Sequence, residues 1–187
     1  RMFPADYQVS RVNVDLSPVV QGALYVSVYG ESILEENAPG DLHKLCRFDP
    51  QMEQWSVAGT IAQGYGADVW MALAASPTVA DRVALSGYRP KITQNGGATI
   101  NSIANTSVVH DDIHIMEFSP NGAELWVGHD GGLSMTANVD GVTTSNFTWL
   151  SKNNGLAVGT MLAIASSPTN KHEVLAGNQD EGNNLLD

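Results

Sequence analysis

Apolar residues along this chain come in short runs bounded by turn formers. Four of these runs, "ALYVSVYG", "RVALSG", "ELWVG" and "EVLAG", are rich in Val, Leu and aromatic residues and end in glycine. Four others, "VNVDLSP", "WMALAASP", "IHIMEFSP" and "MLAIASSP", lead into a Ser-Pro pair. Runs of this length, closed by Gly, Pro, Asn and Asp, predict β-strands. No stretch sustains a 3.6-residue apolar period with a cap at both ends, so long helices are not predicted.

The Ser-Pro pairs mark an internal repeat. They lie at Ser17, Ser76, Ser119 and Ser167, spaced by 59, 43 and 48 residues. A second element follows the first three in phase: "RFDPQMEQW", "TQNGGATI" and "TANVDGVTTSNFTW". Each carries an Asp or Asn (Asp49, Asn95, Asp140), then a turn, then a large apolar residue (Trp55, Ile100, Trp149). Asp and Asn favour such turns because they hydrogen-bond nearby backbone and tolerate positive φ. The unit therefore holds four short strands in roughly 40–50 residues, the blade period of a β-propeller. We expect an all-β chain of four-stranded antiparallel blades over about 9–58, 68–103 and 113–151, with the first two strands of a fourth at 158–178. The insertion "ESILEENAPG" separates the second and third strands of the first blade. With three and a half blades and an unpaired last strand, the chain reads as part of a larger propeller, completed by further blades or by a partner chain.

Charge narrows the partners. With 9 Lys and Arg against 20 Asp and Glu, the net charge is −11. Nucleic acid and anionic membrane surfaces call for a basic footprint and are excluded as expected partners. No apolar run reaches the ~18 residues of a membrane-spanning helix. The single cysteine, Cys46, lies in "LHKLCRF" and reads as a small buried hydrophobe.

"ITQNGGATI" resembles the Asp-box, the Ser/Thr-x-Asp-x-Gly-x-Thr-Trp turn of sialidase-like BNR repeats. "HDDIHIMEFSP", "ELWVGHDGGL", "NFTWLSKNNGL" and "EVLAGNQDEG" resemble successive segments of BNR propellers of the xyloglucanase-like and sortilin-like kinds. The likeness is stronger over about 108–182 than over 9–107. Asn95 and Ile100 stand where the motif has Asp and Trp, and the other two copies lack the Gly-x-Thr-Trp spacing. The resemblance implies a secreted or cell-surface propeller. Asp-boxes are structural turns in this group, so the motif speaks to fold. The arginine triad of sialidases has no counterpart among Arg1, Arg11, Arg47, Arg82 and Arg89.

A blade is an antiparallel meander, so its loops alternate between two faces of the disc. The Ser-Pro turns and the Asp-box-like turns fall on one face, where their residues close turns. "HDDIH" (110–114) is a connection between blades and enters an innermost strand at Ile113. "GYRPK", "GHDGGL" and "GNQDEG" join second to third strands. These four segments share the other face, where function tends to sit on loops of a rigid scaffold. They gather His110, Asp111, Asp112, His114, His129, Asp130, Gln179, Asp180 and Glu181, with Tyr88 and Arg89 beside them.

Glycoside hydrolysis needs two carboxyl groups, and Asp111, Asp112, Asp130 and Asp180 are the candidates. The competing reading, favoured for "DGG" and "DEG", is that these acids close turns. His110 and His114 would share a face only on a helix, and on a strand beginning at Ile113 they splay, with His114 and Met116 facing one way. No zinc-type spacing is present and no metal is assigned; calcium is the cation such a rim of carboxylates would suit. Tyr65, Tyr88 and Trp70 could stack on sugar, although Trp70 lies in an apolar strand and reads as core. Trp126 and Trp149 follow the repeat and read as packing between blades. The leading expectation is a non-catalytic module binding a glycan or protein ligand. A glycan-cleaving propeller is the alternative.

Overall fold

The computed structural model describes residues 7–32, 42–61, 70–140, 147–156, 161–179 and 183–186. They form fifteen strands in four antiparallel sheets and, among the described residues, no helix. The first sheet runs β1(Tyr7–Leu16), β2(Leu24–Ser32), β3(Leu42–Asp49), β4(Gln54–Ile61). The second is β5(Leu73–Ala75), β6(Val83–Ser86), β7(Pro90–Thr93), β8(Asn101–Ser102). The third is β9(Ile113–Phe118), β10(Leu125–His129), β11(Gly132–Thr136), β12(Leu150–Ser151). The fourth is β13(Met161–Ser166), β14(Val174–Asn178), β15(Asn183–Leu186). Every sheet is a meander in chain order, and β1, β5 and β9 follow one another as inner strands.

The Ser-Pro repeat has one physical job. In each copy the serine amide donates to a carbonyl across the turn: Ser17 to Ala23, Ser76 to Arg82, Ser119 to Glu124 and Ser167 to Glu173, all at 2.9–3.0 Å. Its hydroxyl accepts a second backbone amide, from Val20, Val79, Glu124 and Asn170 respectively. Three turns are closed by the same pair of bonds and the third copy by a variant in which the hydroxyl takes the amide five residues on rather than three, which is why the motif recurs. The Asp-box-like turn of the second blade is closed similarly. Asn95 Oδ1 accepts the Thr99 amide at 2.8 Å, and Thr93 Oγ1 accepts that of Gly97 at 2.8 Å.

Packing follows the two-residue period of a strand. On β6, Val83 and Leu85 join Tyr25, Leu45 and Ile61 of the first blade, while Ala84 joins Ile113, Met116, Leu125 and Val127 of the third. All four residues of β6 are buried because its sheet is covered on both faces. Polar struts cross the same boundaries. Asp15 Oδ2 accepts the Ala75 amide at 2.7 Å, and the Tyr25 hydroxyl donates to Ala80 O at 2.9 Å. Trp149, placed between blades by the sequence pattern, is 3% exposed and donates its indole N–H to Ile103 O at 2.7 Å. Trp126 is only half-buried, under the Lys152 ammonium. Cys46 is fully buried, and burial pushes its thiol pKa up.

Three expectations change. The last strand is not left open, because β15 pairs with β14 from Gly177↔Asn183 to Val174↔Leu186 and gives the fourth blade a third strand. β5 begins at Leu73 rather than near residue 68, and the outer strands β8 and β12 are two residues long. A bulge in β9 also alters its facing: His129 pairs with Ile113 and Gly128 with Ile115. Ile113 and Met116 are therefore both buried although three apart, and His114 is exposed rather than following Met116. Of the insertion "ESILEENAPG", Glu31 and Ser32 belong to β2 and the rest lies outside the described residues.

The sheet faces at the two ends differ from those inside. Val12, Val14, Leu16, Trp55 and Val57 share the face of the first blade turned away from the second, and all are exposed. In the fourth blade Leu162 and Ile164 are each 70% exposed.

Candidate functional site

Three of the four loops expected on one face lie within the described residues and touch one another. Tyr88 and Arg89 lie between β6 and β7, and residues 110–112 lead directly into β9. Asp130 sits in the two-residue turn between β10 and β11. Gln179 follows β14 and is exposed, while Asp180, Glu181 and Tyr65 lie outside the described residues.

Tyr88, Arg89 and Asp111 form one unit. Arg89 grips the Asp111 carboxylate through Nε at 2.6 Å and Nη2 at 3.1 Å, the paired geometry a guanidinium favours. Its guanidinium lies 5.6 Å from the Tyr88 ring centroid, and Trp70 meets Tyr88 edge-on at 6.1 Å. Trp70 is half-buried, so it belongs to this aromatic wall as well as to the interior. The hydrogen bond from Arg89 holds the Asp111 carboxyl below the usual carboxylate range. Asp111 in turn pushes the Tyr88 phenol and the Arg89 guanidinium up.

Asp112 turns inward. It has φ 65°, in the left-handed region that Asp tolerates better than most residues, and is 9% exposed. Its amide donates to Tyr88 O at 3.0 Å, tying the connection between blades to the neighbouring loop.

The histidines separate into distinct environments. His114 Nε2 meets Asp130 Oδ1 at 2.5 Å on the exposed rim. His110 donates from Nδ1 to Asp111 O at 3.0 Å and stacks on His129 at a centroid distance of 6.4 Å. His129 is 7% exposed, with Nε2 2.9 Å from Ser134 Oγ. Because the Ser134 hydroxyl donates to Val108 O at 3.1 Å, it must accept from His129, which places the proton on Nε2 and leaves a bare lone pair on Nδ1. Burial, and then the neighbouring His110, lower the His129 pKa to about 4. Among the described residues no three His, Cys, Asp or Glu side chains are grouped to hold a metal ion.

Two positioning elements escaped the sequence pattern. Asn153 clamps the "HDGG" turn, accepting the Leu133 amide at 2.8 Å and donating to Gly131 O at 2.7 Å. Arg82 bridges to Asp140 of the third blade while its Nε donates to Gln94 Oε1 at 2.6 Å. Asp140, read as a turn closer, is therefore one end of a strut between blades. The Asn153 clamp and the Arg82–Asp140 bridge join residues about 20 and 58 positions apart, so local sequence carries no signal of them.

Chemically, Asp111 stays ionised against Arg89, and Asp130 faces an imidazole. A glycosidase acid needs a carboxyl held protonated by a raised pKa, and Asp111 is shifted the other way.

No protein-family profile matches this chain, and no curated protein matches it by sequence. In three dimensions it is similar to a GH74 enzyme of Niastella koreensis, with a TM-score of 0.61 and 14% identity. That similarity covers 99% of this chain and 29% of the enzyme's, so the chain spans less than a third of its neighbour's length. Together with four antiparallel meander sheets in series, the likeness makes the architecture that of part of a β-propeller.

Proposed function

We propose that this chain is a BNR-type propeller segment of a secreted or cell-surface protein that binds a carbohydrate on its Tyr88–Asp111–Asp130 rim without cleaving it. The observation that carries this reading is the commitment of the rim acids. Arg89 holds Asp111, which is thereby not poised as a protonated acid, and His114 Nε2 engages Asp130 Oδ1. Tyr88 and Trp70 supply aromatic faces beside the polar groups, the combination that sugar rings bind. Further blades, in the same chain or a partner's, would cover the exposed apolar face of the first blade.

A glycan array probed with the chain tests this. Binding should weaken about tenfold in Tyr88→Ala, as loss of an aromatic stack implies. Equal binding by an Asp111→Asn/Asp112→Asn variant would show that these acids do not contact sugar. The likeness to a GH74 enzyme favours a second reading, glycan cleavage using Asp111, Asp112, Asp130 or Asp180. Release of new reducing ends from xyloglucan, abolished by Asp130→Asn, would establish that reading and overturn the first.

A further inference from the structure

A cleft of about 420 Å³ lies between the outer strands of the first two blades, beside the Asp-box-like turn. Its walls are Ala58, Gly59 and Thr60 of β4, Gly97, Ala98 and Ile100 of the turn before β8, and Lys91 and Ser102 of β7 and β8. Lys91 pairs with Leu85 in the sheet, so its side chain projects toward the first blade, into this space. It is half-buried, and among the described residues no carboxylate forms an ion pair with it. Its charged neighbours are cationic or basic, namely Arg89 and His43.

An ammonium taken partly out of water without a counter-charge is costly, and in a chain of net charge −11 it is conspicuous. We propose that this cleft binds a carboxylate-bearing ligand, with the Lys91 ammonium as its ionic contact and the hydroxyl of Ser102, its partner across the sheet, as a neutral donor. The apolar walls of Ala58, Ala98 and Ile100 would take the body of the ligand. A single cation suits a singly charged anion. Phosphate is more often held by a bidentate arginine or a helix N-terminus, and neither lines the cleft. Burial, then Arg89, lowers the Lys91 pKa, as expected of an amine awaiting an anion. A free organic acid and a uronic sugar offer the same group, so both are probes.

The test is titration of the whole chain with acetate, glucuronate and glucose, followed by amide chemical shifts. Saturable shifts at Gly97, Ala98 and Ser102 are expected with glucuronate and not with glucose. Equal affinity for acetate would point to the carboxylate alone, and a preference for glucuronate to a sugar-borne one; each supports the site. Lys91→Met should weaken binding at least tenfold, Lys91→Arg should retain part of it, and Lys171→Met should change nothing. Ser102→Ala, at an exposed position, provides an independent arm in case Lys91→Met perturbs folding, and should also weaken binding. Shifts with glucose equal to those with glucuronate, or binding that survives Lys91→Met in a chain with native-like spectra, would overturn the proposal.

Discussion

His43 and His129 hold neutral imidazoles inside the fold. His43 is 1% exposed, with Nε2 2.6 Å from Ser27 Oγ, and both rings have pKa values lowered to about 4, chiefly by burial. An unfolded histidine titrates near 6.5, so on acidification the unfolded chain takes up protons that the folded chain refuses. The stability these groups contribute is complete above pH 6.5 and is lost as pH falls toward about 4. The slope is at most about 1.4 kcal/mol per pH unit for each histidine. Asp111 acts in a lower window, because its depressed pKa contributes stability that is lost only below the usual carboxylate value of 3.8. Urea unfolding at pH 7, 5.5 and 4.5 should give a falling midpoint, and His43→Gln should flatten that decline. A midpoint independent of pH across this range would refute the assignment. Neither imidazole is recognisable as buried from its neighbours in sequence. "LHKLC" is largely apolar and "GHDGG" is polar, yet both rings are inside, and only the facing of β3 and β10 places them there.

At the scale of elements, the close approach of the first two blades depends on glycine. Gly97 has φ 104°, and a Cβ there would lie 2.8 Å from the Ala58 carbonyl carbon. Alanine at this position would be strained twice, by the left-handed backbone and by the contact with β4. Gly97→Ala should therefore destabilise the chain by about 1–3 kcal/mol in denaturant unfolding. A companion Ala98→Ser change, on an exposed position of the same turn, should cost little. If both cost the same, the contact with Ala58 is not what matters. The Asp-box-like motif indicated this turn correctly, because Thr93 and Asn95 close it with their own side chains. What the motif could not indicate is that the turn also presses against a strand nearly forty residues earlier.

Across the whole molecule, stability should be graded. The second blade is buried on both faces, whereas the fourth leaves Leu162, Ile164, Leu175 and Leu185 exposed and packs little against the third. Opening a sheet with few buried apolar contacts costs less than opening one at the core. Amide exchange should accordingly be fastest in β13–β14 and slowest in β6 and β10, and uniform protection would contradict this gradient. The sequence by itself determined the strand content, the repeat period, the Ser-Pro and Asn turns and the grouping of the loops at Arg89, Asp111 and Asp130, because each depends on local chemistry repeated in register. Tertiary structure alone decided the rest: the β9 bulge that turns His114 outward, the Arg89 grip on Asp111, the Arg82–Asp140 strut and the Lys91 cleft. Those features arise between residues far apart in the chain, where facing and distance, which no residue type encodes, choose the partner.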